Sequence, residues 1–202
     1  MGTLTKDKDP VRVAAGKKSK RKGGSNERKL AKEFKEWWGY GEWVKTPVSG
    51  GWSSPAVREE FRTCGDIMTT ALDFPFCVEA KHQEKWELMQ LFTAPKSAIF
   101  QFWEQTVDET PEGTMPLLVI RRNHREPLVL GWASQLGPYA AGAPHFVACD
   151  TFPVPENFED IGTDVVILSL KDFFRINPEH FGRTLPDERR EEDGTDTTTT
   201  SD

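Results

Sequence analysis

Cysteine is scarce. Cys64, Cys77 and Cys149 are the only three in 202 residues, and no CxxC or Cys/His spacing joins them, which excludes a disulfide framework and a zinc site as organising features. Apolar runs long enough to span a bilayer are missing, and the N-terminus carries basic residues without an apolar h-region, so secretion and membrane insertion are not expected. The reading is a cytoplasmic chain with reduced thiols. There is no phosphate-binding loop, no GxGxxG and no nucleophile elbow, which removes the commonest nucleotide-dependent and acyl-transfer chemistries. An overall excess of positive charge is absent too. The net charge is -6, so the chain does not coat nucleic acid passively, since non-specific affinity comes mainly from phosphate neutralisation.

What is present is sharply segregated. Residues 1–24 carry eight Lys/Arg against two Asp, a charge of +6, and residues 184–202 carry seven acids against two Arg, a charge of -5. The body between them is therefore at -7. Neither end shows periodic apolar positions, so the expected organisation is a disordered basic arm (1–24), one domain (25–183) and a disordered acidic tail (184–202). The densest basic run, Lys17 to Lys22, includes Lys20, Arg21 and Lys22. It reads equally as an arm for a DNA backbone and as a solubilising tail.

Between the ends the periodicity alternates between helical and extended. Ser25 is a candidate N-cap for a first helix with Leu30, Phe34 and Trp37 or Trp38 on its apolar face, stopping at Gly39. Glu42–Thr46 reads as a strand leading into the Gly/Ser loop 47–55. Asp66–Thr70 and Phe76–Lys81 read as the next two strands of a meander. Lys96–Thr106 reads as a second helix, Leu117–Arg122 as a buried strand, and 123–126 as a hairpin into Leu128–Trp132. The order is α-β-β-β-α-β-β. Further on, Val165–Leu168 reads as a late buried strand and Leu170–Phe174 as a short helix. Trp37 or Trp38, Trp86 and Trp103 are expected in the core.

The chemistry concentrates in Phe76-Cys77-Val78-Glu79-Ala80-Lys81. In a strand, alternate side chains share a face, so Cys77, Glu79 and Lys81 project to one side while Val78 and Ala80 pack behind. A carboxylate and an ammonium are thereby held together. Asp66, from the preceding strand, adds a second carboxylate, and Glu27 lies on the apolar face of the first helix, where an unpaired acid is costly. Oxygen ligands beside a lysine suit a hard divalent cation and a water or phosphorane to be stabilised, the working set of a metal-dependent phosphodiesterase.

These residues resemble the PD-(D/E)xK nuclease superfamily: Glu27 on a first helix, Gly65-Asp66 opening a strand, and Glu79-Ala80-Lys81 in the next. Gly24 to Arg28, the Lys45 to Gly50 loop and the Phe102-Trp103-Glu104-Gln105 helix further resemble Holliday junction resolvases of archaeal and phage type, over residues 23–132. The resemblance implies an α/β (α+β) fold with a restriction-endonuclease-like core, a central mixed sheet of αβββαβ order flanked by helices. It implies an endonuclease that cuts branched DNA, the four-way junction, by paired nicks during recombination and repair. It also implies a homodimer, and a bacteriophage source acting in the host cytoplasm. Asp66, Glu79, the Ala80 carbonyl and Glu27 would hold Mg²⁺ or Mn²⁺, and Lys81 would serve the attacking water or the transition state. Ser49 and Lys45 would contact phosphate beside Gly50, and Trp52 would stack on an unpaired base. Gln105 and Gln83 are weaker supports. The chain departs from the family pattern in carrying Gly65 where a proline is usual, which suggests a more flexible approach to Asp66, and Lys45 where arginine is usual. Alternatives of the same superfamily are a restriction-type nuclease and a recombination exonuclease. An inert DNA-binding scaffold is the alternative from another class.

Overall fold

The computed structural model describes residues 10–47, 61–84, 86–90, 97–148 and 164–185. Ser49, Gly50 and Trp52 lie outside them, as do Cys149 and the acidic tail from residue 186 onward. Among the described residues no helix is long and apolar enough to cross a membrane.

A helix α1 (Pro10–Trp38) is followed by β1 (Trp43–Lys45), β2 (Arg62–Cys64), β3 (Ile67–Thr69) and β4 (Phe76–His82). Then come α2 (Ala98–Asp108), β5 (Met115–Arg121), β6 (Leu128–Trp132), α3 (Ala133–Ala140), β7 (His145–Ala148), β8 (Val165–Ser169), α4 (Leu170–Phe173) and a 3₁₀ turn (Pro178–Phe181). The main sheet is mixed and has the order β4-β5-β6-β8-β7, with β4 and β5 parallel and the remaining pairs antiparallel. A small antiparallel sheet, β1-β3-β2, stands beside it. The fold is thus the expected α+β arrangement, a mixed sheet flanked by helices and compatible with the restriction-endonuclease-like core.

Alternation along the strands builds two cores. Val78, Leu117, Val119, Val129, Val166 and Leu168 face α1, α3 and α4, whereas Leu118, Ile120, Leu130, Trp132, Val165 and Ile167 face α2. Both faces of β5 and β8 are covered, which explains their unbroken apolar runs. On the first face Phe34 of α1 makes edge contacts to Phe74, Phe173 and Phe174 and stacks on Trp43. On the second, Trp103 meets Trp132 edge-on at 4.9 Å. Trp38, Trp86 and Trp103 are all buried, as expected, with Trp37 packed against the first core.

Three readings of the sequence change. The first helix does not begin at Ser25: α1 starts at Pro10 and takes in residues 10–24 of the expected disordered arm. The Ala, Lys and Arg of that stretch are adequate helix formers and Pro10 suits a first turn, so a helix nucleated downstream extends through Gly16, Gly23 and Gly24 at about 1 kcal/mol each. The meander ends early, because β1 and β3 pair but β4 leaves them to run parallel to β5. β2, β7 and α3 are additions, the first only three residues long and the last interrupted by Pro138.

The two sheets meet at Gly65. A parallel bridge joins it to Val78, and the Asp66 N–H donates to the Val78 carbonyl at 2.7 Å. Gly65 has φ of +65°, and a Cβ there would lie 2.3 Å from the Val78 oxygen. Proline, fixed near -65°, is incompatible with that φ, so the departure at this position marks a pinned approach and not a flexible one. Gly65→Ala should therefore lower the free energy of unfolding by about 3 kcal/mol or more, left-handed strain compounded by a backbone clash. Urea denaturation reads this directly, and an unchanged midpoint would refute the clamp.

Candidate active site

Strand β4 presents its alternate side chains as the sequence implies. Val78 is buried toward α1, while Glu79, 8 % exposed, and Lys81 turn toward α2. The Lys81 ammonium donates to Glu79 Oε1 at 2.6 Å and to Gln105 Oε1 at 2.9 Å, and it lies 5.8 Å from the centre of the Phe102 ring. Gln105 is in turn oriented by donating to Glu109 Oε1 at 2.8 Å, one helical turn on. Gln105 reaches Lys81 because Ile99, Phe100, Trp103 and Val107 bury the opposite stripe of α2.

Asp66 is held against the same strand from the other direction. Its carboxylate oxygen Oδ2 accepts the Ala80 N–H at 2.9 Å, its own N–H donates to Val78, and its carbonyl accepts the Thr46 N–H at 2.8 Å. Thr46 Oγ1 also donates to the Gly65 carbonyl at 2.7 Å. The N–H and C=O of one residue in a strand project to the same lateral side, so the Ala80 carbonyl also faces Asp66 and not β5.

Burial, reinforced by the nearby Glu79 carboxylate and more weakly by Glu27, pushes the Asp66 carboxyl up to about 6. The Ala80 N–H and the Lys81 ammonium oppose this without cancelling it. Glu27, on α1, is mostly buried and paired with Lys45 Nζ at 3.2 Å. Lys45, expected at a phosphate, thus neutralises a site carboxylate, which is how the acid on the apolar face of α1 is accommodated.

Among the described residues no three His, Cys, Asp or Glu side chains converge on one point in the manner of a closed metal cage. The donor set still fits a hard cation: two close carboxylates, Asp66 raised to about 6 by burial and then by Glu79, and a carbonyl on the same side. Asp66, Glu79 and Ala80 come together directly, with Glu27 beside Asp66 and paired to Lys45. Lys20, Arg21 and Lys22 fall on the N-terminal part of α1. Gln83 donates its backbone N–H to the Arg121 carbonyl, and no side-chain contact to the site is seen among the described residues. Sequence reasoning missed Glu109 and Thr46, whose roles arise from contacts with Gln105 and Gly65 that no local spacing announces. It also missed the contact between Cys64 and Cys77, where the hydrogen bond to Cys64 and burial push the Cys77 thiol up.

The family described as "Phage putative PDDEXK endonuclease" matches residues 18–182. The chain belongs to it. The match takes in α1 from residue 18 onward, both sheets and α4, and so covers every carboxylate and lysine just described. No curated protein and no solved structure matches the chain.

Asp66 binds its proton more tightly when folded, about 6 against an ordinary 3.8. Protonation therefore stabilises the fold, fully below the ordinary value, and that stability is lost as the pH rises through about 6. In a chelating buffer at neutral pH, Asp66→Asn should melt higher than wild type, by up to about 3 kcal/mol at 1.36 kcal/mol per pKa unit. The difference should close as the pH falls through that range. Circular dichroism melts across pH measure it, and a wild type more stable than the variant at neutral pH would contradict the electrostatic account.

Proposed function

We propose that this phage endonuclease hydrolyses DNA phosphodiesters with a divalent metal and that its preferred substrate is branched DNA, cut at four-way junctions by paired nicks. The observation that carries the chemistry is the Asp66, Glu79 and Lys81 cluster, closed by the Ala80 N–H bond to Asp66. Asp66, Glu79, the Ala80 carbonyl and Glu27 would hold Mg²⁺ or Mn²⁺, which when bound polarises the phosphate and lowers the pKa of a water.

The chain's own groups do the rest. Lys81, fixed by Glu79 and Gln105, has a third N–H that no described residue accepts, and it would orient water or stabilise charge developing on the phosphorane. Gln105, clamped by Glu109, keeps that ammonium pointed back at the site. Lys45 balances Glu27 and keeps a positive charge next to the approaching phosphate.

The branched substrate rests on the resemblance of residues 24–28, 45–50 and 102–105 to junction resolvases. A four-way junction has approximate two-fold symmetry, so two cuts on opposed strands are best served by a homodimer with two such sites. Recognition would then be of shape and backbone more than of base edges. Ser49 and Trp52 belong to this proposal as phosphate and unpaired-base contacts.

Labelled four-way junctions and matched linear duplex, incubated with Mg²⁺ or Mn²⁺, test the reading. Wild type should nick the junction symmetrically, and Asp66→Asn, Glu79→Gln and Lys81→Ala should each lose about 10²- to 10⁴-fold in rate. Equal cutting of linear duplex would discard the junction preference and leave a duplex nuclease. Tight binding without any cutting would leave a DNA-binding scaffold.

A further inference from the structure

Beyond the carboxylates, a cleft of about 470 Å³ lies between α1, the β5–β6 hairpin and α4. Its lining is electrically unlike the rest of the domain. Five basic residues, Lys29, Arg121, Arg122, Arg125 and Lys171, stand against Glu33 and Glu126, a local charge of +3 on a body at -7. A solvated surface of an acidic domain has no reason to gather its cations in one hollow. The site is also constructed: the Leu170 N–H donates to the Pro127 carbonyl at 2.8 Å, tying α4 to the hairpin. His124 at the hairpin tip holds a left-handed φ of 57°, a conformation uncommon outside glycine and associated with functional loops.

Part of the charge is already used structurally. Arg121 pairs with Glu33 at 3.2 Å, and Arg122 with Glu87 at 2.7 Å. Arg125 and Lys171 are exposed, and no ion pair reaches either among the described residues. The buried Nδ1 of His82 likewise has no hydrogen-bond partner there.

The cleft lies beyond the active site along β4 but on the α1 face of the main sheet, whereas Glu79 and Lys81 turn to the α2 face. His82 follows Lys81 directly and is register-paired with Arg121 at the ends of the parallel strands. On α1, Glu33 lies six residues beyond Glu27, about 9 Å along the axis at 1.5 Å per residue. That offset is a few nucleotide steps at 3.4 Å per step and strand.

We propose that this cleft binds the sugar-phosphate backbone of the substrate DNA a few nucleotides from the cut, with Arg125 and Lys171 as its phosphate contacts. The inference rests on the nuclease reading above and deepens it by naming where the substrate's flank lies. Guanidinium and ammonium groups suit phosphate oxygens, and the contacts position the duplex without reading its bases.

Fluorescence anisotropy of labelled four-way junction and duplex, with full-length protein in chelating buffer over about 50–200 mM salt, tests the cleft. Arg125→Ala/Lys171→Ala should bind roughly tenfold more weakly at low salt, and its slope of log K against log salt should be shallower by about 2, the two phosphates no longer neutralised. With metal added, KM should rise while kcat is kept. Arg125→Glu/Lys171→Glu should bind more weakly still, and the melting curves of both variants should match wild type. If wild type binds and cuts DNA but the alanine variant has the same affinity and salt slope, the cleft is overturned while the nuclease reading stands. If wild type neither binds nor cuts DNA, both are overturned together.

Discussion

The structure depends on the short clamp between Gly65-Asp66 and Val78-Glu79-Ala80. Two backbone contacts, the Gly65–Val78 bridge and the Asp66 N–H to Val78 bond, join the small sheet to the large one. One side-chain contact, the Ala80 N–H to the Asp66 carboxylate, then fixes the acid to the strand that carries Glu79 and Lys81. Because the clamp is made mostly of backbone, it tolerates no Cβ at residue 65 and holds the two carboxylates at a separation the side chains did not choose. The consequence is electrostatic. Two acids brought together in a mostly buried place resist ionising together, and Asp66 bears that cost. The fold carries a locally unfavourable arrangement whose natural complement is a cation.

The charges around the clamp bear on which cation the proposed metal site would take. Glu27, Asp66 and Glu79 contribute three negative charges when ionised, and Lys45 and Lys81 return two positive ones, leaving -1. A monovalent ion would bring this to neutrality and leave nothing to attract a phosphodiester. A divalent ion brings it to +1, matched to the single negative charge of the scissile group. The all-oxygen donor set points to the hard members of the divalent series. The lysines thus do more than stand beside the site, since without them a dication would be overmatched by carboxylates and the phosphate repelled.

Much of this was legible in the sequence, for identifiable reasons. Strands β5 and β8 are covered on both faces, so their apolar runs are unbroken, and β4 is amphipathic in a way that puts Glu79 and Lys81 on one side. The aromatic face of α1 recurs at helical spacing through Phe34 and Trp38. Short or interrupted elements were not legible: a three-residue strand such as Arg62–Cys64 is shorter than any periodic signal, and Pro138 argues against the helix it occupies. Nor were contacts between distant residues. Lys45 reads as a phosphate contact until α1 brings Glu27 to it, no local spacing ties Glu109 to Gln105, and Cys64 and Cys77 are unrelated by spacing until Gly65 pairs with Val78. Gly65 is the instructive case. Composition suggests pliability, whereas its dihedral and its neighbours make it the most constrained position near the site.

Charge segregation gives the whole molecule its logic. An acidic body at -7 repels a polyanion almost everywhere, so whatever attraction exists must be local. Within the body two places would supply it, the carboxylate cluster if a dication balances it and the basic hollow at the C-terminal ends of β4 and β5, both drawing on β4 and α1, and residues 1–24 at +6 add a third source of positive charge. On the proposed reading, coupling through β4 would hold a backbone seated in the hollow in a fixed relation to Lys81, turning weak phosphate attraction into orientation. A uniformly basic surface would bind DNA more tightly but at any register. Gathering positive charge in one hollow of an acidic body would exchange affinity for position, the quantity that a nuclease cutting at a defined point needs more.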